Sequence, residues 1–84
     1  MASETICILV VSSWGGNEER GRFYFRSKAD AIAKAREMMD AELPKGRKTR
    51  WADVAEGVAE LERDGVASSA RLYSEYRIES AVLN

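Results

Sequence analysis

The side chains able to do chemistry in this sequence are one thiol, Cys7, three tyrosines, 14 carboxylates and 13 Lys and Arg residues; histidine is absent. Without an imidazole, the commonest acid–base group at neutral pH and the commonest nitrogen ligand for metals are both missing. The usual Ser-His and Cys-His nucleophiles are lost with it. Cys7 lies within a β-branched, apolar stretch with no base beside it to hold a thiolate, and reads as a small hydrophobe. Glu56 and Glu60 stand one helical turn apart, where two carboxylates can share a proton or a cation. Their spacing from Val54, Val58 and Leu61 instead places them, with Arg63, on a solvated helix face. No spacing matches an EF-hand loop, and Gly15, Gly16 and Gly21 do not run into a helix as a phosphate-cradling loop does. These residues predict a protein that is not an enzyme and holds no metal and no cofactor.

Three surfaces remain as candidates for binding. Lys45, Arg47, Lys48 and Arg50 crowd a glycine-containing stretch just ahead of a predicted helix, where cations and helix amides together attract phosphates or an acidic protein. The plainer reading is an interhelical loop whose cations offset the dipole of the helix before it. Arg22, Tyr24 and Arg26 in one predicted strand, and Arg71, Tyr73 and Arg77 in another, share the phase that points away from the apolar positions. Aromatic and Arg residues on a sheet suit single-stranded nucleic acid and protein interfaces alike. Glu75 and Glu79 share that face and oppose a phosphate backbone, which favours a protein partner or a second subunit. Trp14, at the mouth of a glycine-rich hairpin, is either an interface anchor or a cover over the end of the core. Trp51 falls on an apolar helical stripe and reads as core, as do Met38 and Met39.

The elements that carry these residues follow from periodicity. Thr5 to Val11 is apolar on both faces and predicts a central strand. Ser12 to Gly21, with three glycines and an asparagine, predicts a hairpin connection. Arg22 to Arg26 alternates, with Phe23 and Phe25 on the apolar side, and predicts an antiparallel second strand. Ser27 with Asp30 has the capping-box spacing that opens a helix, whose stripe is Ile32, Ala35, Met39 and Leu43 and which Pro44 and Gly46 close. Trp51, Val54, Ala55, Val58 and Leu61 define a second helix, with Asp53 among its surface residues, ending at Asp64-Gly65. From Ala70 to Leu83 the alternation returns, with Leu72, Tyr76, Ile78 and Val82 inward and a bend near Ser74. The expected fold is α+β in two layers, β-β-α-α-β, a three-stranded sheet with both helices packed on one face.

Residues 1–84 are read as a single domain, long enough to bury only about 60–65% of the surface of the unfolded chain. The net charge of −1 sets up no global field for nucleic acid or an anionic membrane. One cysteine cannot form an internal disulfide, and the apolar run Ile6 to Val11 is too short for a signal-peptide core or a membrane span, so the expected location is cytoplasmic.

The unit Phe25-Arg-Ser-Lys-Ala-Asp-Ala31, a strand running into a capped helix, resembles a feature of small phage and mobile-element proteins, some anti-CRISPR inhibitors among them. The resemblance rests on generic capping and implies no residue-level function. The sequence thus leads to a small non-enzymatic protein-interaction module, a homodimeric inhibitor or adaptor. The alternative is a nucleic-acid-binding accessory protein using Lys45 to Arg50 and the Tyr/Arg sheet face.

Overall fold

β-branched residues favour the pleated, half-buried surface of a sheet, and the apolar N-terminal stretch duly forms its central strand. A computed structural model of the chain describes residues 4–15, 17–69 and 71–83. It contains β1 (Glu4–Ser13), β2 (Glu19–Phe25), α1 (Lys28–Glu42), α2 (Arg50–Asp64), β3 (Val66–Ala67) and β4 (Ser74–Leu83). The sheet is antiparallel with strand order β2-β1-β4-β3. Leu9 stands between Phe23 of β2 and Ile78 of β4, so these three share a face. The register shift at Val11/Ser12, where Gly21 and Glu19 pair in turn with successive β1 residues, leaves Arg20 as an extra residue and bulges the hairpin end of β2.

The α+β class and the two helices are as expected, but the sheet has four strands, not three. The extra strand, β3, is only two residues long and carries no periodic signal of its own. It exists because Gly65 adopts φ 75, donates its N–H to Leu61 to close α2, and accepts from the Ile78 N–H at 2.8 Å through its carbonyl. A left-handed residue is needed to turn a helix end straight onto a sheet edge, and glycine takes that conformation at little cost.

The final strand is also shorter than expected. It begins at Ser74, leaving Arg71, Leu72 and Tyr73 in the preceding loop; Ala70, where the strand was expected to start, lies outside the described residues. Leu72 is nonetheless in the core, reached from the loop.

Leu9 and Val11 of β1, Tyr76 of β4 and Ala67 of β3 pack with Ala31, Ala35, Met39 and Leu43 from the first helix and Val54, Val58 and Leu61 from the second. Both helices therefore cover one face of the sheet. Ser27 caps α1, its hydroxyl accepting from the Asp30 N–H at 3.2 Å, as the capping spacing requires. The helices approach closely at Gly57, where an added Cβ would lie 3.0 Å from the Met39 sulfur and 3.2 Å from Leu72.

The buried side of α2 is Asp53, Val54, Gly57, Val58 and Leu61. At 100° per residue this sector is turned by roughly 60° from the apolar stripe of the sequence. Hydrophobicity alone passes over Gly57, which has no side chain to score, and Asp53, which is charged. Two expectations fail as a result: Trp51 is 80% exposed, not core, and Asp53 is buried at 3%, not at the surface.

Candidate functional site

The apolar residues of β1 on the helix-free face, Ile8 and Val10, are buried in the single chain. Their register neighbours are Tyr24 and Arg22 on β2 and Glu79 and Arg77 on β4, long side chains whose stems lie over apolar surface. The charges are also largely matched within the chain. Arg22 donates to Glu19 at 2.8 Å and 3.4 Å, and Arg77 lies 3.7 Å from Glu79. The Arg22 hydrogen bond holds the Glu19 carboxyl below its ordinary range, and Glu19 in turn raises the Arg22 guanidinium. Tyr24 is the one large exposed apolar side chain on this face among the described residues, with Arg26 exposed just past the end of β2.

Arg71 and Tyr73 do not join this face, because they precede β4. They gather instead around the buried carboxylate of Asp53 near the N-terminus of α2. Asp53 Oδ2 accepts from the Thr49 hydroxyl at 2.9 Å and lies 3.5 Å from Arg47 Nη1, while Oδ1 faces Arg71 Nη1 at 3.6 Å without a hydrogen bond. Arg47 also donates to the Arg71 carbonyl at 2.8 Å and stacks over Tyr73 at 5.9 Å. This cluster pins the loop before β4 to α2. A buried carboxylate is costly unless charged and hydrogen-bonding groups converge on it, as they do here.

The basic stretch is divided by the same contacts. Arg50 forms a 2.7 Å ion pair with Asp40 and donates to the Asp40 carbonyl at 3.0 Å, so it closes the C-terminal end of α1. With Arg47 on Asp53, only Lys45 and Lys48 stand exposed and outside any ion pair among the described residues. Two free lysines make a much weaker phosphate grip than four clustered cations.

Trp14 is exposed in the hairpin turn, beyond the helix-covered core. Trp51 was missed as a surface residue, and it borders a concave site. A groove of about 380 Å³ between the two helices is lined by Ala33, Arg36, Glu37 and Asp40 on one side and Trp51, Val54 and Ala55 on the other. Small alanines on both walls leave room beside the indole. Glu37 is paired with Lys34 at 3.6 Å and Asp40 with Arg50, whereas Arg36 joins no ion pair among the described residues. The signal that finds this site is the pairing of Trp51 with alanines a turn away, Ala55 on its own helix and Ala33 facing it.

Glu56 is exposed and lies 3.7 Å from Arg71, and no group of carboxylates and Cys that could hold a metal occurs among the described residues. Tyr76 is fully buried, and its hydroxyl donates to Glu42 at 3.0 Å; burial first, then the Glu42 charge, pushes its pKa far above the ordinary value. Such a phenol is poorly suited to act as a base near neutral pH. No family model, curated protein or solved structure matches the chain. No helix among the described residues is long and apolar enough to cross a membrane.

Proposed function

We propose that this chain is a small non-enzymatic protein-interaction module, a homodimeric inhibitor or adaptor of the reducing cytoplasm that occludes or bridges a partner protein. A phage-borne inhibitor is one concrete form of this reading. The observation that carries it is the exposure of Trp51 beside the interhelical groove. An exposed Trp bordered by Arg and small apolar residues, with a charged rim, has the composition of an interface hot spot. The partner it fits is a protein surface that sets an apolar side chain on Ala33 and Ala55 next to a carboxylate for Arg36. Arg22 and Arg77, already matched within the chain, would then be rim contacts and the exposed Tyr24 a secondary one.

The test is affinity capture from the native host with the wild-type chain and with Trp51→Ala. Because Trp51 is largely solvated, the variant should melt with the wild type, yet lose the captured protein. A partner retained equally by Trp51→Ala would overturn the reading. So would capture that disappears with nuclease or in about 0.5 M salt, the behaviour of phosphate-driven binding. That second result would favour the nucleic-acid alternative, to be confirmed with Lys45→Glu/Lys48→Glu, which leaves the Arg47 and Arg50 ties intact.

A further inference from the structure

The two edges of this sheet are not equally guarded. The edge strand β2 carries Arg20 and Arg22, and its own bulge at Arg20 adds twist near the hairpin. Charge and bulging are the usual protections against edge-to-edge pairing. The other edge is formed by β3 only as far as its short ladder reaches, pairing Val66 with Arg77 and Ala67 with Tyr76. The Ile78 N–H is taken by Gly65. Beyond it, no described strand covers β4 from Glu79 to Leu83.

Main-chain groups in a strand point alternately to its two sides. Since the Ile78 N–H points toward β3, those of Ser80 and Val82 point the same way, onto the uncovered edge. The intervening residues, 79, 81 and 83, direct theirs at β1, with which they pair. This edge segment contains Ser80, Ala81 and Val82, with no Lys, Arg or Pro among them. Val82 is 59% exposed, because β1 and β4 run on past the helices that cover the rest of the sheet.

We propose that this edge of β4 is where a second copy of the chain adds its own β4, antiparallel, about a two-fold axis at Ala81. Two identical edges offering Ser80 and Val82 can satisfy each other fully in one register, Ser80 opposite the partner copy's Val82 and the reverse, which makes about four main-chain hydrogen bonds. Centring the pair on Ser80 instead would set Val82 against Ile78, whose N–H Gly65 already takes, and centring it on Val82 would set Ser80 against Asn84, which lies outside the described residues. In the favoured register Ala81 meets its own copy in a non-hydrogen-bonded pair, with Cα atoms about 4.5 Å apart, a spacing suited to small side chains. The two Glu79 residues fall roughly 14 Å apart, so no like charges oppose each other. The result is one sheet continuous through both copies, with both Trp51 grooves left open. A dimer with two grooves is what bridging a partner requires.

This inference rests on the homodimeric reading above, and cross-linking separates the two. In a Cys7→Ser background, Ala81→Cys should oxidise to a disulfide dimer, since its Cα spacing lies in the range a disulfide spans. Glu79→Cys, too distant from its copy, should cross-link on the order of tenfold more slowly or not at all. Sedimentation of the wild type should rise from 9.4 kDa toward about twice that mass with concentration. Val82→Pro removes an outward N–H without touching the β1 ladder and should keep the chain monomeric and folded. A wild type that stays monomeric at all accessible concentrations would sink both the homodimer and its edge. A wild-type dimer in which Ala81→Cys cross-links no faster than Glu79→Cys would refute the edge and leave the homodimer standing.

Discussion

Glu42→Ala offers the sharpest test of how this chain is held together. Glu42 ends α1 and receives the Tyr76 hydroxyl at 3.0 Å and the Ser74 hydroxyl at 3.2 Å, while Arg20 of β2 donates to Ser74 at 2.8 Å. One carboxylate thus ties a helix end to two strands. Tyr76 and Ser74 are fully buried and the Glu42 side chain is 22% exposed, so after truncation water reaches the two hydroxyls only through the space the carboxylate leaves. A buried donor left unsatisfied costs about 1–3 kcal/mol, and a hydrogen bond to a charged group contributes about 1.5–3 kcal/mol. Ser74 keeps Arg20, and the Arg20–Glu42 pair, at 3.9 Å and half-exposed, adds little. The expected loss is about 2–3 kcal/mol, against a total stability of about 4–12 kcal/mol for a chain of this size. The corresponding drop in Tm is roughly 10–20 °C. Tyr76→Phe, which removes the donor and keeps the ring, should cost about 1–1.5 kcal/mol. The double variant should be about as stable as Glu42→Ala alone, because phenylalanine leaves no donor to satisfy. Urea unfolding of the four proteins, at constant m value, measures the coupling as about 1–1.5 kcal/mol. Effects that add to within about 0.5 kcal/mol would show that Glu42 does not hold the Tyr76 hydroxyl.

The same pair sets an alkaline limit. The raised pKa of folded Tyr76 means that the unfolded chain ionises first, so its contribution is complete below about pH 10 and is lost as pH climbs above that value. Melting curves between about pH 10 and 11.5 should fall more steeply for wild type than for Tyr76→Phe; parallel slopes would count against the assignment. Gly65→Ala should cost about 1 kcal/mol through its positive φ, since the nearest atom to an added Cβ is the Ile78 carbonyl oxygen at a comfortable 3.6 Å. Gly65→Asn should recover part of the loss, and an unchanged Tm for the alanine variant would contradict the backbone explanation.

Local chemistry made much of this protein legible in its residues alone. The apolar run of β1, the alternation of Phe23 and Phe25, the Ser27 cap, the Pro44 stop and the Gly65 turn each act over a few neighbours, and each appears where its pattern predicts. The missing imidazole likewise limits chemistry whatever the fold. Residues whose fate depends on distant partners were not readable in this way. Asp53 is buried only because Thr49, Arg47 and a loop from far along the chain converge on it, and Arg71 and Tyr73 leave the sheet face for the same reason. Val66 and Ala67 count as a strand only beside β4. Trp51 is exposed because the close approach of the helices at Gly57 rotates α2 toward Asp53, turning the indole out over the groove. The period of the residues determined that α2 is an amphipathic helix; which side of it faces the core was decided by packing, because a glycine gap and a paired charge carry no hydrophobic signal until their partners are in place.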